Sequence, residues 1–177
     1  MRRYLALLGS INVGGNRIKM ADLRERLERE GLQDVETVAA SGNVILSSGD
    51  EPEELAARLS SVIREEYGFE SVVTLRTREE VLSAIEDNPF HGDGSDKVVH
   101  SIFLPIQPER ARFDELLAEH QNRGAERLAL GNRVLYLDYV HGVGVSDLTG
   151  RFLERRLGCK GTARNMTSLK RILEKMN

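Results

Sequence analysis

The chain has 177 residues, 40% apolar and 30% charged, with 25 basic against 28 acidic side chains and a formal net charge of -3. That is the composition of an ordinary soluble domain or pair of domains, and it lacks the basic excess of a general polyanion binder. Cys159 is the only cysteine, which excludes an intramolecular disulfide. No run approaches the roughly 18 apolar residues of a spanning helix. Met1-Arg2-Arg3 precedes an apolar run too short for an export signal, so a cytoplasmic location without membrane attachment is expected.

The apolar run Tyr4 to Leu8 predicts a buried first strand. Gly9-Ser10-Ile11-Asn12-Val13-Gly14-Gly15-Asn16 follows, too rich in Gly and Asn for a helix. Met20, Leu23, Leu27 and Leu32 mark one face of a helix that ends at Gly31. Val35 to Ala40 and Val44 to Ser47 read as a hairpin about Ser41-Gly42-Asn43. Asp50-Glu51-Pro52-Glu53 predicts a helix start, with Asp50 as cap and Glu53 completing a capping box. Leu55, Leu59, Val62, Ile63 and Tyr67 give its inward stripe. Val72 to Leu75 is a fourth strand, and Thr77-Arg78-Glu79-Glu80 a second capping box. That box opens a linking helix, which carries Val81, Leu82 and Ile85 and stops before Asn88-Pro89.

Beyond residues 88–97 the pattern restarts. Val98 to Leu104 predicts a strand, and Pro108 to about Gln121 a helix with Phe113, Leu116 and Leu117 inward. Leu128 to Leu130 and Val134 to Tyr139 form a hairpin about Gly131-Asn132. Ser146 is placed to cap a helix bearing Leu148, Phe152, Leu153 and Leu157, which Gly158 ends. Lys160 to Ala163 reads as a short last strand. Leu169, Ile172, Leu173 and Met176 mark a C-terminal helix. Each half is thus β-α-β-β-α-β, and Ser41-Gly42-Asn43-Val44-Ile45-Leu46 can be laid over Leu130-Gly131-Asn132-Arg133-Val134-Leu135. The expected fold is α+β, with two ferredoxin-like units in tandem by internal duplication, a linking helix and a C-terminal helix. The expected division is 1–87 for the first unit with its linking helix, 88–97 for a linker, and 98–177 for the second unit with the C-terminal helix.

The residues that invite chemistry cluster at the first loop. A strand, bare glycine N–H groups and cations beside a helix start suggest an anion site. It is neither a P-loop, since Gly15 stands where Lys is needed, nor a dinucleotide fingerprint, since the third glycine is missing. The candidate ligand-binding residues are Asn12, Gly14, Gly15, Asn16, Arg17 and Lys19, joined by Arg164 and Asn165 ahead of the last helix. Each has a plain structural use as well: glycines serve tight turns, and Asn165 or Thr167 can cap a helix. His91, His100, His120 and His141 are scattered without ligand spacing, so no metal site is expected. His141 lies in a glycine-containing loop where an acid or base could act. No nucleophile–base pair or paired carboxylates stand out, so no catalytic residue or cofactor is assigned.

Three strings carry a resemblance: LLGSINVGGNRIKM, SGNVILSS and TARNMTSLKRI, in that order, with Asn88-Pro89-Phe90 between the second and third. They resemble the domain-of-unknown-function family 1697, a set of uncharacterised, mostly bacterial proteins, over essentially the whole chain. The resemblance implies an α+β fold with two ferredoxin-like halves and implies no activity. Where the family usually shows Arg-Gly-Ile-Asn, this chain has Gly9-Ser10-Ile11-Asn12. Where the family shows Arg-Asn-Trp-Asn, it has Arg164-Asn165-Met166-Thr167. The functional expectation is a binding protein for an anionic small molecule. The alternatives are a nucleic-acid-binding module, disfavoured by charge and by the lack of an aromatic strand pattern, and a structural protein assembling as a homodimer.

Overall fold

A computed structural model describes all residues, 1–177. Its elements are, in order, β1 (Arg2–Leu8), α1 (Met20–Arg29), β2 (Gln33–Val38), β3 (Asn43–Ser48), α2 (Pro52–Tyr67), β4 (Val73–Arg76) and α3 (Arg78–Glu86). There follow β5 (Val99–Phe103), α4 (Arg110–His120), β6 (Arg127–Leu130), β7 (Val134–Asp138), α5 (Gly150–Leu157), β8 (Thr162–Asn165) and α6 (Met166–Lys175). The fold is mixed α+β, with two four-stranded antiparallel sheets and six α-helices. The sheet orders are β2-β3-β1-β4 and β6-β7-β5-β8. The chain divides into two compact units, Met1–Val81 with Arg171–Asn177, and Leu82–Lys170.

In the first unit, Tyr4, Ala6 and Leu8 of β1 share one core with Val44 and Leu46 of β3, Leu23 and Leu27 of α1, and Leu55, Leu59, Val62 and Ile63 of α2. Leu5, Leu7 and Ile45 point to the other sheet face and are buried too. This explains why β1 reads as an unbroken apolar run rather than an alternation. In the second unit, Ile102, Leu135 and Leu137 pack with Phe113 and Leu116 of α4 and with Leu153 and Leu157 of α5. Each fully buried leucine contributes roughly 1.5–3 kcal/mol.

The two sheets match residue for residue, although not as the sequence overlay suggests. Leu7 pairs with Asn43 on one side and Thr74 on the other. Phe103 pairs with Val134 and Thr162 in the same way. Leu8 N–H donates to the Gly42 carbonyl at 2.8 Å, and Leu104 N–H to the Arg133 carbonyl at 2.9 Å. Gly42 therefore corresponds to Arg133, both at positive φ (84° and 51°), and Asn43 corresponds to Val134 rather than to Asn132. The Gly-Asn match is a coincidence of two different turns. A Cβ on Gly42 would lie 2.8 Å from the Leu8 carbonyl oxygen, so this turn demands glycine where the other accepts arginine. The register that does repeat is Thr-x-Arg on the fourth strand of each sheet: Thr74-Leu75-Arg76 and Thr162-Ala163-Arg164, with all four polar residues buried.

Locally, several helix ends differ from expectation. Thr77 and Glu80 do form the capping box, with Thr77 N–H donating to Glu80 Oε2 at 2.8 Å and Glu80 N–H to Thr77 Oγ1 at 3.3 Å. The box at Asp50 does not form. Glu51 is the N-cap of α2 and makes no side-chain cap, because the Asp50 carboxylate is turned to Arg58 at 3.0 Å. Thr149, not Ser146, caps α5, accepting from Phe152 N–H at 3.2 Å. Leu117 is 41% exposed rather than inward. Residues 88–97 form turns, and the buried Asn88 amide donates to the His100 carbonyl and to Ser101 Oγ, each at 3.2 Å.

Candidate functional site

The loop after β1 is held largely by its own polar groups. Asn12 adopts φ 57°, a left-handed conformation that asparagine tolerates better than most residues. Its Nδ2 donates to the Ala40 carbonyl at 2.5 Å, and its Oδ1 accepts from Ile18 N–H at 2.9 Å. Asn16 Nδ2 donates to the Ser10 carbonyl at 3.2 Å, and Arg17 to the Asn12 carbonyl at 3.1 Å. Three of the candidate side chains thus close the loop. Gly14 and Gly15 form its exposed tip at φ 57° and 92°, with open space where a Cβ would stand. Lys19 is exposed and is the N-cap of α1, which has no side-chain cap.

Arg164 and Asn165 lie in the second unit. Arg164 is 9% exposed, and NH1 donates to the Ala163 carbonyl at 2.8 Å. Burial pulls its guanidinium down to about 10, and it stays protonated near neutrality. Asn165 caps α6, its Oδ1 accepting from Ser168 N–H at 2.9 Å. Asn12, Gly14, Gly15, Asn16, Arg17 and Lys19 belong to the first unit.

The second unit holds a cluster that sequence reasoning missed. His120 ends α4 and Glu126 stands just before β6, with side chains 10% and 12% exposed. His120 Nε2 lies 3.0 Å from the Glu126 carbonyl oxygen and 3.5 Å from Glu126 Oε2. Ser146 Oγ donates to Glu126 Oε1 at 2.6 Å and accepts from Leu148 N–H at 3.1 Å. Burial alone would raise the Glu126 carboxyl. The Ser146 hydroxyl, a backbone hydrogen bond and the nearby His120 and His141 nonetheless hold it below its ordinary value. Two clefts of about 180 and 490 Å³ share the His120–Glu126 pair as a wall. His141 itself is exposed. No motif flags the cluster, because its members come from a helix end, a strand start and a loop 20 residues on. A paired His–Glu across a short helix-to-strand link was the only signal available. Cys159 is partly buried, which pushes its thiol up and argues against an activated nucleophile.

Fold and sites together define an α+β protein of two four-stranded sheets, with a glycine-tipped loop on one unit and a carboxylate–imidazole cleft on the other. The chain belongs to the family described as protein of unknown function (DUF1697), whose model matches residues 1–136. No curated protein matches it. Among solved structures it is similar to the conserved bacterial protein SP0830 from Streptococcus pneumoniae, at 24% identity and a TM-score of 0.71. The match covers 99% of this chain and 98% of that one. At that identity the likeness speaks for the fold. No helix is long and apolar enough to cross a membrane.

Proposed function

We propose that the protein binds an anionic small molecule at the tip of its first loop, through the backbone N–H groups of Gly14 and Gly15, the free N-terminus of α1, and Lys19. Arg17 adds positive charge from within the loop. The observation that carries this reading is the start of α1: it comes four residues after the glycine turn, is opened by an exposed lysine, and lacks a side-chain cap. Uncapped N–H groups with the positive end of a helix dipole favour an anion. Asn12 and Asn16 then hold the loop rather than the ligand, and Arg164 and Asn165 serve their own unit. Calorimetric titration of the full chain with nucleotides and phosphorylated metabolites tests it. At least one should bind, at least tenfold more weakly to Lys19→Ala. Silence across the series, or binding indifferent to Lys19→Ala, refutes the proposal.

The same reading takes each unit as ferredoxin-like and the chain as an internal duplication. The repeated strand order and the two Thr-x-Arg registers support it. RNA recognition through an open sheet is disfavoured, because the sheet face of the first unit that points away from the helices is already buried at Leu5, Leu7 and Ile45. Self-association has one observation in its favour. Val140, Val143 and Val145 are 39%, 53% and 75% exposed along one loop. Light scattering of wild type against Val143→Ser/Val145→Ser measures it: a dimer that dissociates in the variant supports assembly through this loop, and a monomer at high concentration excludes it.

A further inference from the structure

We propose that β6 is an association strand: two copies of the chain pair β6 to β6, antiparallel about a two-fold axis, and join their second-unit sheets into one. Self-association through the valine loop thereby gains a contact strand, and the strand pairing rests on that reading.

A sheet edge presents unpaired backbone groups, and proteins guard it with charge or with bulges. β2 and β6 hold the same edge position in the two sheets, and only β2 is guarded. It carries Asp34 and Glu36 exposed, its register with β3 shifts between Gln33 and Glu36, and Asp34 stands at φ 51°. β6, Arg127-Leu128-Ala129-Leu130, pairs with β7 in unbroken register, and all of its residues are part-exposed. Its single charge is occupied, since Arg127 is held by Asp93 and Asp138.

The register also says which backbone groups are open. Gly131 N–H donates to the Val134 carbonyl at 2.8 Å. The alternation of an antiparallel ladder then turns the N–H and C=O of Arg127 and Ala129 toward β7, and those of Leu128 and Leu130 away from it. No loop or helix backbone takes them up.

The residues of this edge select a second copy as the occupant. Leu-Ala-Leu reads the same in both directions. Antiparallel pairing about a two-fold through Ala129 sets Leu128 opposite the partner's Leu130, and Leu130 opposite the partner's Leu128. Short as the strand is, each of these pairs exchanges both N–H···O bonds, so donors meet acceptors throughout. Leucine meets leucine on the face that packs against the unit's core, and the small Ala129 meets the partner's Ala129 on the other. An isologous contact requires such self-complementarity. The flanks are apolar as well. The exposed Leu117 lines the 490 Å³ cleft with Leu128, and the exposed Val140 lines a cleft of about 450 Å³ with Arg127. Val143 and Val145 continue that loop, both exposed.

The test is sedimentation equilibrium of the full chain as wild type, Ala129→Lys, Ala129→Glu and an equimolar mixture of the two variants. The wild type should dimerise. Each variant alone should do so at least tenfold more weakly, because like charges then stand opposite each other across the axis. The mixture should restore association at least tenfold over either variant. Hydrogen exchange of the wild type gives a second readout that needs no substitution. The Leu128 and Leu130 amides should exchange more slowly as protein concentration rises, while Gly131, bonded within its hairpin, stays constant. The proposal is overturned by variants that dimerise like wild type, by a mixture no tighter than either variant, or by Leu128 and Leu130 amides indifferent to concentration. A dimer dissociated only by Val143→Ser/Val145→Ser keeps self-association through the loop and refutes the strand pairing. A monomer at every concentration refutes both and leaves the edge to a strand of another protein.

Discussion

Asn12 stands at φ 57° and uses both ends of its amide, one on Ala40 and one on Ile18. A polar residue in a glycine loop reads as a ligand group in the sequence. Here the local fold consumes its hydrogen-bonding capacity, and nothing in the sequence reveals that the Ala40 carbonyl lies within reach. The buried threonines give the opposite case. Thr74 and Thr162 are 3% and 4% exposed, and their hydroxyls have no hydrogen-bond partner. An unsatisfied buried hydroxyl is costly, and valine has nearly its shape. Thr74→Val and Thr162→Val should each stabilise the protein, by about 1 kcal/mol, read as a higher urea midpoint at unchanged slope. His100 supplies a pH dependence. Burial lowers its imidazole, partly opposed by the Val98 carbonyl at 2.9 Å and by the charge of Asp138; Tyr139 meets the ring edge-on. The unfolded chain then binds more protons than the folded one as pH falls below about 6.5. The stability owed to neutral His100 is complete above that pH and declines below it. The urea midpoint should therefore drop between pH 7.5 and 5.5, and drop less in His100→Leu.

At the scale of elements, the helix signals separate by whether the cap residue had a competitor. Thr77 takes the Glu80 N–H and the box forms. Asp50 has Arg58 one helical face away and pairs with it instead. Ser146 is drawn to Glu126, and Thr149 three residues on takes the cap. A cap motif is thus readable only as an option, because tertiary partners decide. Thermal denaturation should show Thr77→Ala costing about 1 kcal/mol, in the usual range for a lost N-cap. Asp50→Ala should cost under about 0.5 kcal/mol, as an exposed ion pair does. Equal costs would mean that Asp50 caps α2 in solution.

For the whole molecule, element order was legible because apolar periodicity and glycine or proline punctuation both survive in the sequence. The Thr-x-Arg correspondence was not, because it is a matter of register across a sheet, and hairpin connections of different length break the alignment. The Gly-Asn turns that looked homologous fall at different register positions. The candidate site divided along the same line. The glycine loop announces itself by composition. The His120–Glu126–Ser146 cluster is assembled from three separate segments and has no sequence signature. The central functional claim concerns the loop, and the most direct measurement is a ¹⁵N–¹H titration of the full chain with inorganic phosphate. Saturable shifts confined to Gly14, Gly15, Lys19 and the first amides of α1 are expected, with binding at least tenfold weaker in Lys19→Ala. No shifts at those amides, or shifts spread evenly over the basic surface, would contradict it.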